Sequence, residues 1–192
     1  MRIVAASDLH GQLPAVADFP RGDVLAFAGD LCPDGDPAYQ LDWLHTRFAY
    51  WVEQLPVSHV VATWGNHDWV GLNAPAPSIS KASWLCDSGV ELDGCRFWGS
   101  PWSLPFFGWA FIRPEAELAQ AWDLMWNDAH VVVVHCPPHG YGDRTRDGQN
   151  AGSSSLRERL EMVRPSWFYS GTFTRHSASG ASPVAPGRTC LW

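Results

Sequence analysis

Four short apolar runs punctuate the chain, at Ile3 to Ala6, Val24 to Ala28, Val60 to Thr63 and Val131 to Val134, and each is closed by polar or glycine residues. Runs of this length and composition, bounded by turn formers, read as buried strands. Between the second and third, Leu41, Leu44, Phe48, Trp51, Val52 and Leu55 recur at helical spacing. A helix is therefore expected from Pro37 to Leu55, with Asp36 as its N-cap, Pro37 in its first turn and Pro56 as its stop. A second helix is expected over Pro114 to Met125, opening on Pro and two Glu and turning Leu118, Trp122 and Met125 toward a core. A third begins after Ser155, which stands at capping-box spacing from Glu158, and ends before Pro165.

Strands alternating with helices argue for an α/β fold with helices layered on sheet faces. One portion is antiparallel: Val90-Glu91-Leu92 and Cys95-Arg96-Phe97-Trp98 flank Asp93-Gly94, a two-residue hairpin signal. There is no internal repeat, and 192 residues fit one domain spanning 1–192. The most linker-like run, Gln149 to Ser155, reads as a mobile surface loop.

Composition narrows the function classes. Hydrophobic residues make up 46% and charged residues 17%, with twelve Trp, which argues against a disordered chain and points to a large aromatic core or a stacking surface, core being the expected use for most of them. The net charge is −7, and its cations are twelve Arg with a single Lys, Lys81, so no broad basic face exists to track an extended nucleic acid. Small anionic substrates drawn by local charge remain. Five Cys, at 32, 86, 95, 136 and 190, form no CxxC pair and are odd in number, which fits reduced thiols. The N-terminus has no signal-peptide pattern and no run approaches about 20 apolar residues, so a cytoplasmic protein without a membrane span is expected.

The chemistry sits where the apolar runs end. Asp8 and His10 are one residue apart, so on an extended strand end both side chains leave the same face. Asp30 follows Gly29, whose freedom to turn sharply aims the carboxylate into the crevice beyond the strands, where it can bridge two ions. In Gly65-Asn66-His67-Asp68 the Asn amide oxygen is a neutral hard ligand, and His67 is left to meet the substrate as acid or hydrogen-bond donor. His135 ends the most apolar strand and is followed by the rigid turn Cys136-Pro137-Pro138-His139-Gly140, which keeps His139 as a candidate pocket residue. Each piece alone has a plain alternative: a turn Asp such as Asp34 or Asp36, an Asx turn, or a core imidazole, the reading given to His45, His59 and His130. Together, in order after successive strands, they describe a two-metal centre. Carboxylate, amide and imidazole donors suit manganese, iron or zinc, and two such ions about 3.5–4 Å apart clamp a phosphoryl group.

In this order the residues resemble the calcineurin-like metallophosphoesterase superfamily, whose pattern is D-x-H, G-D, G-N-H-[DE], a lone H, then G-H-x-H. Trp98-Gly99-Ser100-Pro101-Trp102, the aromatic run Phe106 to Phe111 and His135 to Gly140 are similar to metallophosphoesterase-domain proteins related to class III cyclic nucleotide phosphodiesterases. The resemblance implies a two-sheet β-sandwich flanked by helices. It also implies two divalent ions, manganese first with iron or zinc as alternatives. Asp8, His10 and Asp30 would hold one and Asp30, Asn66 and His135 the other, with His67 beside the leaving group. The last motif departs from the pattern, because Gly171 is followed by Thr172 and Thr174 where the family carries imidazoles. A hydroxyl is a poor substitute on a transition metal, so reduced occupancy is expected. His176 lies about 6.6 Å beyond Thr174 at strand rise, so its service as a replacement ligand requires a bend.

The activity implied is hydrolysis of phosphoesters, as a phosphodiesterase on small nucleotide-like substrates, by a hydroxide bridging the two metals with His67 assisting the departing oxygen. Trp102, Phe106, Phe107 and Trp109 are candidate walls for a stacked base, and Arg144 or Arg146 candidate phosphate contacts. The alternative is a catalytically silent relative that keeps the scaffold and binds a nucleotide or a protein partner.

Overall fold

The computed structural model describes residues 1–145 and 148–171. Eight strands form two four-stranded sheets. The first is wholly parallel, in the order β1 (Ile3–Ala6), β2 (Val24–Ala28), β3 (His59–Thr63) and β4 (Ala82–Trp84). The second runs β5 (Ser88–Leu92), β6 (Cys95–Ser100), β7 (Val131–Val134) and β8 (Trp167–Ser170); only its β5–β6 pair is antiparallel. The hairpin turn is the expected one, with Asp93 and Gly94 both at positive φ (48° and 75°).

Strand alternation builds three cores. Val24, Ala26, Ala28 and Val61 from the first sheet meet Phe97, Val131, Val133 and Tyr169 from the second, forming the layer between the sheets. Leu25 and Phe27, one residue out of phase, point the other way and pack on Phe48, Trp51 and Val52. On the far side, Val132 and Val134 pack on Leu118, Trp122, Leu156 and Leu160 of α4 (Glu115–Asp123) and α5 (Ser154–Val163). The result is helix, sheet, sheet, helix. Because β2, β3 and β7 are buried on both faces, they read as unbroken apolar runs.

The long helix expected from Pro37 to Leu55 is present but not uniform. It comprises α1 (Pro37–Trp43), a π-helical turn over Leu44–Phe48 and α2 (Ala49–Gln54). Asp36 caps it as expected, accepting the Tyr39 N–H at 2.8 Å. The wider π turn shifts the phase ahead of it, so Gln40 and Trp43 are buried and Leu41 is only partly so. The third helix starts earlier than its spacing suggested. Ser153 is its cap, accepting from Leu156 N–H, because the Ser155 N–H and hydroxyl both donate to Glu115 of α4. The expected mobile loop at 149–155 is corrected with it: Gly152 and Ser153 are buried, and Gly152 N–H donates to the Asp143 carboxylate at 2.9 Å. His45 and His130 are exposed and His59 partly buried, so none is the core imidazole expected. Strand β4 and α3 (Val70–Asn73) have no counterpart in the apolar pattern, being too short and too mixed. Among the described residues, no helix is long and apolar enough to cross a membrane.

Candidate metal centre

The parallel strands β1, β2, β3 and β7 all end at the same edge, and the chain leaves each one into a candidate ligand. The ladder between β1 and β2 continues past the strands: Asp8 N–H donates to the Gly29 carbonyl, His10 N–H to Asp30 and Gly11 N–H to Leu31, at 2.9–3.0 Å. The backbone there is not extended, contrary to the strand-end geometry expected for Asp8 and His10. Asp8, His10 and Asp30 adopt left-handed φ values of 57°, 45° and 53°. Three non-glycine residues in that region within one site, each costing about 1–3 kcal/mol, mark strain at a working surface.

Two groups of donors result, and Asp30 belongs to both. Ligand atoms of His10, Asp30 and His67 lie within 4.8 Å of one another, and so do those of Asp8, Asp30 and His135. Asp30 Oδ2 is 3.7 Å from His10 Nε2, and its Oδ1 is 3.5 Å from His135 Nε2. Asn66 joins through its Oδ1, 2.8 Å from His135 Nε2. All six residues named for the site thus lie together, but not grouped as the resemblance implied: Asp8 falls with His135 rather than with His10, and His67 stands among the donors rather than apart from them.

The donor chemistry fits a cation. His135 Nδ1 is 2.9 Å from the Ala28 carbonyl, which only accepts, so Nδ1 carries a hydrogen. In the neutral ring the Nε2 lone pair then faces Asn66 Oδ1, itself an acceptor, with Asp30 behind. Burial favours the neutral imidazole, yet Asp30, Asp8 and the Ala28 carbonyl outweigh it and hold the His135 pKa above its ordinary value. A proton or a metal ion is what such a cluster of lone pairs calls for.

Glycines let the loops close around this ring. Gly29 has φ of 90°, and a Cβ there would lie 2.6 Å from His135 Nδ1. A Cβ on Gly65 would collide with the Asp30 carboxylate and backbone.

Three supporting residues escaped the sequence reading. Asp34, taken as an ordinary turn residue, has Oδ1 3.2 Å from His67 Nδ1 and so fixes the hydrogen on that nitrogen. Gln40 is wholly buried; its amide donates to the His67 carbonyl at 2.8 Å and accepts from Val70 N–H at 2.9 Å. Asp68 is also wholly buried, and desolvation, with Asp30 nearby, pushes its pKa up to about 6. Only the Asp68 position carried a signal, as the last residue of Gly65-Asn66-His67-Asp68.

The aromatic run is divided. Trp109 packs on His67 with ring centroids 4.4 Å apart, and Phe106 and Phe107 are exposed beyond it. Trp102 is held away: its indole N–H donates to Asp87 at 2.7 Å, and the Arg113 guanidinium covers its ring. Arg144 Nε donates to Gly148 O within its own loop, and His139 Nδ1 is 3.8 Å from Asp143. Arg146, Thr172, Thr174, His176 and Cys190 lie outside the described residues.

Comparison with known proteins gives a family and a fold. Residues 1–169 match the family model for calcineurin-like phosphoesterases. The human metallophosphoesterase domain-containing protein 1 is 30% identical over 217 residues, covering 98% of this chain and 64% of that protein. A Caenorhabditis elegans UPF0046 protein is 29% identical over 189 residues, covering 89% of this chain and 62% of its own length. The chain thus spans a little under two thirds of these curated relatives. A solved crystal structure superposes with a TM-score of 0.62 at 14% identity, over 93% of this chain and 85% of that one, which supports the fold alone.

Proposed function

Since the chain belongs to the calcineurin-like phosphoesterase family, whose general chemistry is metal-dependent phosphoester hydrolysis, we propose that it is a phosphodiesterase acting on small nucleotide-like substrates. In this reading Asp8, His10, Asp30, Asn66 and His135 hold two divalent ions, manganese first, with iron or zinc as alternatives. The observation that carries it is Asp30, shared between two donor groups at the mouth of parallel strands. A bridging carboxylate is what a paired-ion centre requires. When bound, the ions supply positive charge against the phosphoryl oxygens and acidify a water.

The chain's own groups do the rest. In the doubly protonated ring Asp34 accepts the His67 Nδ1 hydrogen, and the Nε2 hydrogen is the one that would pass to the departing oxygen of the ester. Gln40 holds the His67 carbonyl, and Trp109 backs its ring, so the imidazole is oriented before substrate arrives. The loop bearing Trp109 is tied to the site, because Ala110 N–H donates to the Asn66 carbonyl at 3.0 Å and Ser103 N–H to the Phe111 carbonyl at 2.8 Å. Its exposed Phe106 and Phe107 offer flat apolar surface beside His67, which favours an ester carrying a base.

A second reading is favoured by Thr172 and Thr174, which stand where the family pattern has imidazoles: a catalytically silent protein that binds a nucleotide or a protein partner. One experiment separates them. Purified protein loaded with manganese is given bis(p-nitrophenyl) phosphate and cyclic nucleotides; turnover of either supports the phosphodiesterase. Two bound ions with neither ester cleaved support the silent binder.

A further inference from the structure

Asp68 reaches across from the β3 loop to the β2 loop. Its Oδ2 accepts the Gly65 N–H at 2.8 Å and the Leu31 N–H at 3.3 Å, and its Oδ1 accepts the Cys32 N–H at 2.8 Å. Asp30 returns the exchange, its Oδ1 accepting the His67 N–H at 2.8 Å. Two carboxylates from neighbouring loops thus each hold the other's backbone. The effect extends further, because Asp30 and Leu31 also carry the β1 loop through the carbonyls that receive His10 and Gly11 N–H.

We infer that Asp68 is a positioning residue that locks the three ligand-bearing loops into one geometry before any ion arrives, and that its buried charge adds to the pull on a cation. Several observations on its surroundings support a purpose beyond packing. A carboxylate wholly removed from water costs several kcal/mol unless its oxygens are satisfied. Here three amides satisfy it, and every one belongs to a residue adjoining or one removed from Asp30 or Asn66. A hydrophobic residue of the same size would fill the space yet leave those three N–H groups unpaired beside the site. Groups that orient ligands from behind typically change metal affinity by about 10–100-fold when lost.

This inference rests on the metal-binding reading above, and the test keeps their failures apart. Manganese alone is titrated calorimetrically into the full chain and into Asp68→Asn, which keeps the shape but removes the charge and turns an acceptor into a donor facing an N–H. Asp36→Asn, at the exposed helix cap, controls for the loss of one unit of overall charge. Affinity is expected to fall about tenfold or more in Asp68→Asn and to stay within about twofold in Asp36→Asn, since the Asp36 charge is solvent-exposed and Asn keeps the helix cap. Unchanged affinity in Asp68→Asn overturns the inference. Should that variant fail to fold, hydrogen exchange on the metal-free wild-type chain decides. Protection of the Leu31, Cys32 and Gly65 amides equal to that of the β2 and β3 amides supports a pre-formed brace. Exchange at open-loop rates until manganese is added overturns it. A wild-type chain that takes up no manganese overturns the metal reading, while the exchange measurement still judges the brace.

Discussion

Asn66 Oδ1 and His135 Nε2 face each other across 2.8 Å, one from the loop after β3 and the other from the end of β7, in different sheets. With the imidazole protonated Nε2–H donates to the amide oxygen, and with it neutral both atoms are acceptors; a divalent ion that both ligate takes the proton's place and ties the two sheets together. Divalent metal is therefore expected to stabilise the fold. At about 100 times its dissociation constant a ligand adds about 2.7 kcal/mol, which for a chain of this size amounts to a rise of roughly 5–11 °C in Tm. Differential scanning calorimetry with and without manganese measures it, and an unchanged Tm at saturating metal counts against a site there.

Asp30 should be the least replaceable ligand. Because it alone belongs to both donor groups, Asp30→Asn is expected to weaken manganese binding by about 100-fold or more, beyond the upper range seen for supporting residues. Asn66→Ala, which removes one neutral donor, should cost less. Isothermal titration of both variants gives the order, and the reverse order would remove Asp30 from its central place.

Gly65 has no room for a side chain. Gly65→Ala drives a methyl against the Asp30 carboxylate and the His135 ring, an overpacking expected to destabilise by about 1–3 kcal/mol and to lower metal affinity as well. Gly94→Ala in the hairpin turn meets nothing within 4 Å but sits at φ of 75°, so it should cost roughly 1 kcal/mol of stability and leave metal binding alone. Urea denaturation and metal titration of the pair separate strain from crowding at the site.

Phe107 is 74% exposed at positive φ, and its ring rests on Phe106 and Trp109 with a face left to solvent. In the phosphodiesterase reading, Phe107→Ala should lower kcat/KM for a cyclic nucleotide by about 5–150-fold, the range set by stacking worth about 1–3 kcal/mol per base. Manganese affinity should stay the same. Equal loss with a phosphodiester that bears no ring would deny the side chain a stacking role.

Replacing Thr172 and Thr174 with His restores the family pattern. If the threonines account for weak metal retention, the double variant should bind manganese at least tenfold more tightly, since imidazole is the stronger donor, and should hydrolyse bis(p-nitrophenyl) phosphate faster. No gain in either would clear the threonines of the defect.

Much of this protein can be read directly from residue order. The strands β2, β3 and β7 announce themselves because burial on both faces demands unbroken apolar runs, the shorter β1 shares their apolar composition, and the ligands announce themselves because each run is followed by a carboxylate, amide or imidazole. The Asp93-Gly94 turn is equally local, since only residues tolerant of positive φ fit it. What linear order does not contain is partnership across the fold. Nothing near Asp34 shows that it will orient His67, nothing in the helical stripe shows that a π turn will bury Gln40 against the His67 carbonyl, and nothing near Ser155 shows that Glu115 will take its N–H and move the cap to Ser153. These are contacts between side chains and backbone groups separated by roughly 25 to 40 positions, and only chain packing brings them within hydrogen-bonding reach. Residue type and spacing chose the candidate ligands, while the meeting of two sheets at one edge set the distances among them.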